Sequence, residues 1–594
     1  SGNALDDVQG FGFNLAHGIP SIIELDLSRN NFRQFVISPK RSPHLRINLR
    51  GNPLSRVDFL TLVDGAATKT YLHERILFPM NTIKETRFRG CNHNIDGMVP
   101  LPPAFDGVIS VYAYEFSVLK GSLKLWQTMH SLKTLNLQRS KLTGTFEPLS
   151  KLTKLTSLDL TDNRISGSFK WLHKLVALES LRVELNSLSG TLDPLSELTK
   201  MRYLNTARNK LTGSLHGLRR MQRLKYLDIS SNALNGTLVP LSATTSLHTL
   251  HASDNDLKGT LNVFRKHSSL QEIVLSNNKL VGTLDGLKQL KVLRHLDVRF
   301  NYLNGTLEPL TSLSFLSSLM LTRNNFTGTL DWLKHSAGLI TLYADINHLS
   351  GTMDPLGGFK SLEYVNLGFN DLTGTLDGLI IHTSIKRLYL SSNRFNGTLR
   401  GLSNMVRLKV LNVAKNQLIG PLHEIRPLKL LQVLDLRDNK LVGNLEGLET
   451  MSMLSYFDAA NNRLTGTLDG LKLLTSMSIL DLSGNHLSRT LDGLLQMTSL
   501  TLLSLNETNL TGTADIFARF KQLQSCQGCC AVDDGGVLRC FTVREETKPF
   551  LVNVVGGCKA NLCGRCQGDC DSDDQCLDGL KCFQRVNWED VPGC

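Results

Sequence analysis

The chain has 594 residues and a formal net charge of +12, with 41% hydrophobic but only 6% aromatic residues. This composition argues against several independent globular domains, because Leu, Asn and Gly recur at fixed spacing and so predict a repeat array. No run of about 18 apolar residues occurs, so we expect no membrane span.

Cysteine is concentrated near the C-terminal end, where 11 of the 12 Cys fall in the last 69 residues. Such density predicts a disulfide framework, which persists only outside the reducing cytosol. The cysteines expected to form it are Cys526, Cys529, Cys530, Cys540, Cys558, Cys563, Cys566, Cys570, Cys576, Cys582 and Cys594.

Six N-glycosylation sequons agree with this compartment, since each Asn is followed two residues later by Thr. The sequence therefore predicts a secreted, extracellular glycoprotein, either free or associated with a cell surface. The acceptors are Asn235, Asn304, Asn325, Asn396, Asn506 and Asn509.

Charge is unevenly distributed along the chain. Residues 526–594 carry a net charge of −4 and the remainder carries +16. A basic body favours acidic partners, including the acidic tail of another copy. Nucleic acid is not an expected partner, because no aromatic and basic platform accompanies the charge.

A 23-residue repeat runs through the centre of the chain without insertion or deletion over 18 coils. Each coil follows the pattern L-x-x-L-x-L-x-x-N-x-L-x-G-T-L-D-(G/P)-L, and we call the Asn position the ladder position. Its occupants are Ser117, Ser140, Asn163, Asn186, Asn209, Asn232, Asn255, Asn278, Asn301, Asn324, Asn347, Asn370, Asn393, Asn416, Asn439, Asn462, Asn485 and Thr508.

Each position in the pattern has a physical interpretation. The alternation at Leu158 and Leu160 predicts a strand with the two Leu inward. A single coil cannot bury that face, so stability must come from stacking coils. The buried Asn amide is expected to satisfy backbone groups of adjacent coils. Gly follows four residues later in 17 of 18 coils, with Arg489 the exception, and the chain should bend there.

An acidic column follows the Gly and could be taken for a cation-binding stripe. Each acid precedes a short helical turn, however, and Asp is a favoured N-cap. We therefore interpret these residues as helix caps: Asp193, Asp285, Asp331, Asp354, Asp377, Asp469, Asp492 and Asp515.

The repeat core resembles the leucine-rich-repeat superfamily, and its continuation L-x-G-T-L-D-x-L resembles the plant-type subclass and related surface proteins of protists and algae. The resemblance covers about residues 20–525. It departs from the plant pattern where Asp replaces Pro and where the pitch is 23 residues. It implies an α/β solenoid, a leucine-rich-repeat superhelix with a parallel sheet on one face, used for recognition or assembly.

Three regions are predicted: irregular N-terminal repeats and a cap in 1–107, the regular array in 108–525, and a cysteine-rich C-terminal module in 526–594. Within the first, Leu25 to Phe32 and Ile47 to Leu54 fit two coils. Phe88 to Ile95 fits a degenerate third, and we expect a helix near Val57–Leu62. The C-terminal run resembles a small knotted module of secreted algal and protist proteins.

Metal sites are weak alternatives within the C-terminal region. The pairs Cys526/Cys529 and Cys563/Cys566 have zinc-ligand spacing, but the surrounding cysteines favour disulfides. Calcium could be held by Asp569, Asp571 and Asp573, although Leu580 stands where a binding loop needs Glu, and a solvated acidic loop is favoured. We therefore expect no cofactor.

No catalytic motif is present, and the 16 His are scattered, so the chain is not expected to be an enzyme. The exposed side of the predicted sheet shows a bias towards residues typical of binding surfaces. This candidate binding face consists of His295, Asp297, Arg299, Tyr343, Asp345, Arg387 and Tyr389.

Two functions remain at this stage. The first is a structural or self-assembling glycoprotein that joins end to end into an array or filament, since the unbroken pitch favours assembly. The second is a soluble or shed receptor ectodomain that binds a peptide or glycan on the sheet face. The odd cysteine count leaves Cys91 as an intermolecular disulfide partner or a buried free thiol, because about 100 Å of stacked strands separates it from the tail.

Overall fold

The computed structural model describes residues 108–114, 120–335, 338–358, 361–511 and 514–527, together with isolated strands on either side. It forms two compact units, Ser1–Ser350 (unit 1) and Gly351–Cys594 (unit 2). Both have the same local architecture, in which a coil contributes two short strands and one short 3-10 turn, except that the coil of Asn416 lacks the second strand.

From Thr134–Asn136 onwards, the first strand of each coil joins a parallel sheet whose register follows the repeat, whereas Ser110 of the preceding strand pairs with Thr134, 24 residues away. Leu135 pairs with Leu158, and Leu158 pairs with Leu181, so neighbours are 23 residues apart. In unit 1 these strands are Ser110–Tyr114, Thr134–Asn136, Ser157–Asp159, Ser180–Arg182, Tyr203–Asn205, Tyr226–Asp228, Thr249–His251, Glu272–Val274, His295–Asp297, Ser318–Met320 and Thr341–Tyr343. In unit 2 they are Tyr364–Asn366, Arg387–Tyr389, Val410–Asn412, Val433–Asp435, Tyr456–Asp458, Ile479–Asp481, Leu502–Ser504 and Ser525–Gln527.

The second strand follows the ladder position and also pairs in parallel with its neighbours. In unit 1 and at its end these strands are Lys120–Gly121, Lys141–Leu142, Ser166–Gly167, Ser187–Gly190, Lys210–Gly213, Ala233–Thr237, Asp256–Gly259, Lys279–Gly282, Tyr302–Thr306, Asn325–Gly328 and His348–Gly351. In unit 2 they are Asp371–Gly374, Arg394–Phe395, Val442–Gly443, Arg463–Gly466, His486–Thr490 and Asn509–Thr511.

The helical layer consists of 3-10 turns throughout the described residues. In unit 1 they are Leu123–Trp126, Glu147–Leu149, Phe169–Lys174, Asp193–Leu195, His216–Leu218, Val239–Ala243, Leu261–Lys266, Leu284–Leu287, Glu308–Ser312 and Asp331–His335. In unit 2 they are Asp354–Gly358, Asp377–Leu379, Leu399–Leu402, Leu422–Ile425, Leu448–Thr450, Leu468–Leu471, Leu491–Leu494 and Ala514–Arg519. None of these turns is long and apolar enough to span a bilayer.

The core is a stack of Leu side chains, and the buried Asn column holds the coils together. Leu275 is fully buried and Asn278 retains 6% of its surface. The Asn278 Oδ1 accepts a hydrogen bond from the Leu257 amide of the preceding coil at 3.0 Å. Its Nδ2 donates to the carbonyl of Ala252 at 2.9 Å and to those of Leu275 and Ser276 at 3.2 Å. The predicted ladder is therefore confirmed.

The chain turns sharply at two points in each coil. The residue before the ladder Asn is left-handed, with φ of 57° at Leu185 and 52° at Phe300. Four residues after the Asn, the predicted Gly bend is confirmed: Gly190 has φ of 79°. Arg489 takes the same conformation with φ of 77°, where a Cβ is unfavourable.

The prediction that the acidic column caps the helical turns is wrong. Asp285 lies inside Leu284–Leu287, and Thr283 is the N-cap. The Thr283 hydroxyl accepts from the Asp285 amide at 3.4 Å and donates to the Asp285 carboxylate at 2.7 Å. A hydroxyl both donates and accepts, so Thr closes a reciprocal loop that Asp alone cannot form.

The predicted helix near Val57–Leu62 is also wrong, because Arg56–Phe59 is a strand that pairs in parallel with Gln34–Ile37 and Glu85–Arg89. Alternating charged and apolar residues suit a pleated strand better than a helix. The other N-terminal strands are Phe13–Asn14, Glu24–Asp26, Arg46–Asn48 and Ile76–Leu77. Beyond the array, Cys530–Val532, Leu538–Thr542 and Phe550–Val552 form an antiparallel sheet.

Candidate functional site

The exposed side of the first-strand sheet is the surface on which chemistry-bearing side chains converge. We define the sheet face as the residues six, four and two positions before each ladder residue from Ser140 onwards, since these alternate with the buried Leu. They lie in register on neighbouring strands, roughly 4.8 Å apart. A ligand lying across the strands would contact several coils at once.

The structure distributes the predicted binding face over both units. Its unit 1 members are His295, Asp297 and Arg299 on one coil, with Tyr343 and Asp345 two coils further on. The remaining members, Arg387 and Tyr389, lie on a strand of unit 2. The structure thus groups the first five residues on one sheet.

Most charge in this unit 1 group is satisfied internally. Arg299 forms two charge-assisted hydrogen bonds to the Asp297 carboxylate, at 3.0 and 2.8 Å, and the Asp297 side chain is only 5% exposed. Burial opposes the charge of Arg299, but Asp297 outweighs it and raises the Arg299 pKa. Burial raises the pKa of Asp345, although its carboxylate accepts a hydrogen bond from Thr322 at 2.6 Å. Burial lowers the pKa of His295. Asp297, Arg299 and Asp345 therefore already have hydrogen-bond partners within the fold.

A second group, not singled out from the sequence, forms a continuous polar and aromatic row in unit 1. Tyr203 and Tyr226 stack with centroids 4.2 Å apart and planes 1° from parallel. The Arg182 guanidinium lies over Tyr203 at 4.3 Å, and it approaches Asp159 at 3.8 Å.

The row continues beyond the tyrosines. The His251 ring is steeply inclined to the Tyr226 ring, at 72°, with centroids 5.9 Å apart. Its Nε2 is 3.1 Å from Glu272, and its Nδ1 is 3.8 Å from Asp228. The row therefore crosses six adjacent strands, and we call it the aromatic row: Asp159, Arg182, Tyr203, Tyr226, Asp228, His251 and Glu272.

The electrostatics of this row centre on His251. Burial opposes its protonation, but hydrogen bonds and ion pairing with Asp228 and Glu272 outweigh burial and raise the His251 pKa. Burial likewise opposes ionisation of Asp228, yet contacts with His251 and Ser230 lower its pKa. Burial raises the pKa of Tyr226, so that phenol stays protonated and can donate a hydrogen bond.

Unit 2 has its own charged group on the sheet face. Arg437 lies 3.5 Å from Asp435 and 3.3 Å from Asp458, whose side chains are 5% and 7% exposed. Burial raises the pKa of Asp435 to about 6, against the lowering effect of Arg437. Burial and the nearby Asp435 charge raise the pKa of Asp458 to about 7. The Tyr456 hydroxyl is 3.5 Å from Asp458.

A signal for both groups exists in the sequence once the repeat is aligned by column. Tyr203 and Tyr226 are 23 residues apart, as are Asp435 and Asp458. Column alignment of the sheet face would have placed each pair on adjacent strands. Scanning coil by coil conceals such pairs, because the partners lie far apart along the chain.

All six sequon asparagines are exposed, and none occupies an inward Leu position. Cys526 is disulfide-bonded, whereas the side chains of the other ten C-terminal cysteines lie outside the described residues. Cys91, Asp569, Asp571 and Asp573 also lie outside them. Among the residues that the structure describes, no group of three or more His, Cys, Asp or Glu could hold a metal ion.

Comparison with solved structures finds the same fold in plant receptors. The Arabidopsis receptor kinase HAESA, in complex with the peptide hormone IDA and the co-receptor SERK1, is 24% identical, with 88% of each chain covered and a TM-score of 0.70. The plant peptide hormone receptor RGFR1, in complex with RGF2, is 20% identical, with 84% of this chain and 91% of that chain covered and a TM-score of 0.68.

A third similar structure is the ectodomain of GASSHO1/SCHENGEN3 from Arabidopsis thaliana, in complex with CASPARIAN STRIP INTEGRITY FACTOR 2. It is 23% identical, with 85% of this chain and 70% of that chain covered and a TM-score of 0.65. No family model matches the sequence, and no curated protein matches it. The fold is a leucine-rich-repeat α/β solenoid, as the resemblance implied.

Proposed function

We propose that the protein is an extracellular recognition protein that binds an extended, basic peptide across the sheet face of unit 1. The aromatic row carries this proposal, because it offers stacked tyrosines, an arginine and a histidine on six adjacent strands. Tyr and Arg dominate the binding energy of many interfaces. An extended chain lying across the strands would contact them in succession.

The charge of the sheet face indicates that the bound peptide is basic. In unit 1 the face carries six Asp or Glu but only two Arg, within a chain whose net charge is +12. Complementary potential accelerates encounter and rejects like-charged partners. Lys or Arg side chains of a ligand would complement the carboxylates that Arg182 and Arg299 leave unneutralised.

The solved structures give this proposal a precedent. Two of the similar structures are plant receptors, one in complex with RGF2 and one with the peptide hormone IDA, and the shared fold makes the same mode of binding available here. The proposal assigns no catalytic role. Because the sequons are exposed, glycosylation remains consistent with an extracellular location.

Assembly through the chain ends, with Cys91 as an intermolecular disulfide partner, remains a prediction. It concerns the N-terminal coils and the C-terminal module, whose side chains lie outside the described residues. The acidic cysteine-rich tail docking on a basic body would be its basis.

A displayed library of random peptides tests the recognition proposal on the full chain. We expect selected peptides to be enriched in Lys or Arg, and the double variant Tyr203→Ser/Tyr226→Thr to bind them at least about tenfold more weakly. Both replacements are native to this position, at Ser180 and Thr249. Tyr302→Asn, at an exposed tyrosine off the sheet face, is the control. Equal losses in the two variants, or no enrichment, would contradict the proposal.

A further inference from the structure

Much of the net positive charge of unit 1 lies on one side of its coils. The positions 13, 12, 10, 9 and 7 residues before the ladder position connect the 3-10 turn to the first strand. In unit 1 they carry 16 Lys or Arg and only two acids. We call this surface the basic flank: Lys133, Lys151, Lys154, Lys174, Lys200, Arg202, Arg219, Arg220, Arg223, Lys225, Arg265, Lys266, Lys288, Lys291, Arg294 and Lys334.

All 16 of these side chains are exposed. The intervening Leu positions point into the core, as Leu198 and Leu224 do, so the cations share one side of the coil. Their backbone is in register between coils, since the amides of Lys225 and Tyr226 both donate to the Arg202 carbonyl, at 2.8 and 3.1 Å. Cations therefore recur on five successive coils from Lys133 to Lys225, whose strands lie roughly 4.8 Å apart, whereas the coils of Asn255 and Asn324 carry none at these positions.

Internal pairing engages four of the 16 cations. Lys288 lies 2.8 Å from Asp285 and Lys334 lies 2.7 Å from Asp331, both acids of the preceding 3-10 turns. The only two acids at these positions are Glu179, 3.1 Å from Arg202, and Glu197, 3.3 Å from Arg220. Both pairs are half exposed and contribute little stability. A cation near the end of a helical turn gains from its dipole, but that effect fades within one turn. It therefore does not account for Lys154, which lies beyond the turn.

Repulsion between closely spaced cations disfavours the compact state unless anions are present. The densest part lies on two adjacent coils, where Lys200, Arg202, Arg219, Arg220, Arg223 and Lys225 are all exposed. The neighbouring sheet face is acidic, so the two surfaces would attract opposite ligands. A row of cations on successive coils matches a linear polymer with regular anions better than it matches the irregular surface of a folded protein.

We propose that the basic flank of unit 1 binds a sulfated polysaccharide aligned with the stacking direction of the coils. This ligand rests on the extracellular location proposed above, since sulfated polysaccharides are polymers of that compartment. The binding surface itself is separate from the peptide site on the sheet face. Sulfate groups would accept hydrogen bonds from Arg and ion-pair with Lys on successive coils.

The test uses the full chain with heparin as the probe, and with uncharged dextran and poly-glutamate as comparisons. The variant Lys200→Ser/Arg219→Ser/Arg223→Ser/Lys225→Ser removes four cations. Ser is native at three of the corresponding positions of other coils: Ser246, Ser242 and Ser317. We expect this variant to bind heparin at least about tenfold more weakly near 0.15 M ionic strength, and its log Kd to depend less on log salt, with a slope lower by about 3.

The matched control, Lys141→Ser/Arg164→Ser/Lys210→Ser/Lys258→Ser, removes four exposed cations from the second-strand side. It should retain the affinity for heparin. If both variants lost heparin affinity equally, net charge alone would explain the binding, and the proposal would be overturned. If poly-glutamate bound as tightly as heparin, the partner would be an acidic protein instead of a polysaccharide. If heparin did not bind at all, the proposed site would be overturned. If the flank variant still bound basic peptides, the sheet-face proposal would stand independently of the result with heparin.

Discussion

Asp435 and Asp458 are register partners on adjacent strands of unit 2, and both carboxylates are almost fully buried beside a single Arg437. One guanidinium cannot neutralise two carboxylates. Burial and mutual repulsion therefore raise the pKa of Asp458 to about 7, well above its ordinary value of 3.8. The pairing therefore shifts the titration of one of the two carboxyl groups towards neutral pH.

Replacing Asp458 with Asn should stabilise the protein above pH 7. The folded pKa is raised, so the native carboxyl loses stability as pH climbs from 3.8 through about 7, and the amide avoids this loss. We expect a gain on the order of 2 kcal/mol at pH 8 that vanishes near pH 4. Urea unfolding across this pH range measures it.

Asp469→Asn supplies the matched control, because Asp469 is exposed and Lys472 lowers its pKa. This second amide should not stabilise the protein at pH 8. A similar gain from both substitutions would show that the effect is general charge reduction and would remove the special role of the Asp435–Asp458 pair.

Removing one Asn of the ladder should destabilise the stack strongly. Asn278→Ala would leave the Leu257 amide and the Ala252 carbonyl without their side-chain partner inside the core. Unsatisfied buried groups predict a cost of about 3 kcal/mol. Asn262→Ala, at an exposed asparagine, should change the unfolding free energy far less. Comparable costs would mean that the ladder contributes little.

Arg489→Gly should stabilise the protein, because Arg489 has a left-handed backbone with φ of 77°. Relief of that strain exceeds the conformational entropy that Gly adds to the unfolded chain, for a net gain of about 0.5–1 kcal/mol. Arg489→Ala keeps the Cβ and should show no gain. Calorimetric melting of the three proteins measures the difference, and an equal shift for Ala and Gly would contradict the strain argument.

His267 is a buried histidine that should weaken the protein in acid. It is fully buried, with its Nε2 3.0 Å from the Leu241 carbonyl, and burial lowers its pKa. Because the unfolded state binds the proton more readily, stability falls as pH drops below about 6.5. His267→Met should be more stable than the native protein by on the order of 1 kcal/mol at pH 5, with a smaller difference at pH 8.

The control for this substitution is His216→Met, at an exposed histidine. It should give no gain at pH 5, since no buried charge is avoided. If the two variants stabilise the protein equally at pH 5, burial of His267 is not the cause.

Glycosylation is the direct test of the extracellular location. We expect glycans at the six exposed sequons of natively secreted material, and Asn235, Asn304 and Asn396 share one repeat position, three residues after the ladder residue. Mass spectrometry before and after enzymatic removal of N-glycans would show this. Complete absence of glycans from all six sites would contradict the predicted compartment.

The sequence alone determined the repeat architecture of the array. The inward Leu positions, the Asn ladder and the Gly bend are local consequences of residue type, and each recurs at a 23-residue pitch. Because every coil repeats the same pattern, a coil that departs from it at one position can still be assigned from its neighbours. The structure confirmed strands, ladder and bends because stacking identical coils leaves one register that buries the Leu.

Tertiary structure decided which exposed side chains meet and which groups cap the turns. The N-cap is Thr283 and not Asp285. Both residues can cap a turn, so residue preference alone does not decide which of them does. Stacking of Tyr203 on Tyr226, and the crowding of Asp435 against Asp458, depend on side-chain direction across strands. Such contacts join residues that the chain separates by a whole coil, so their energies arise only once the coils are stacked.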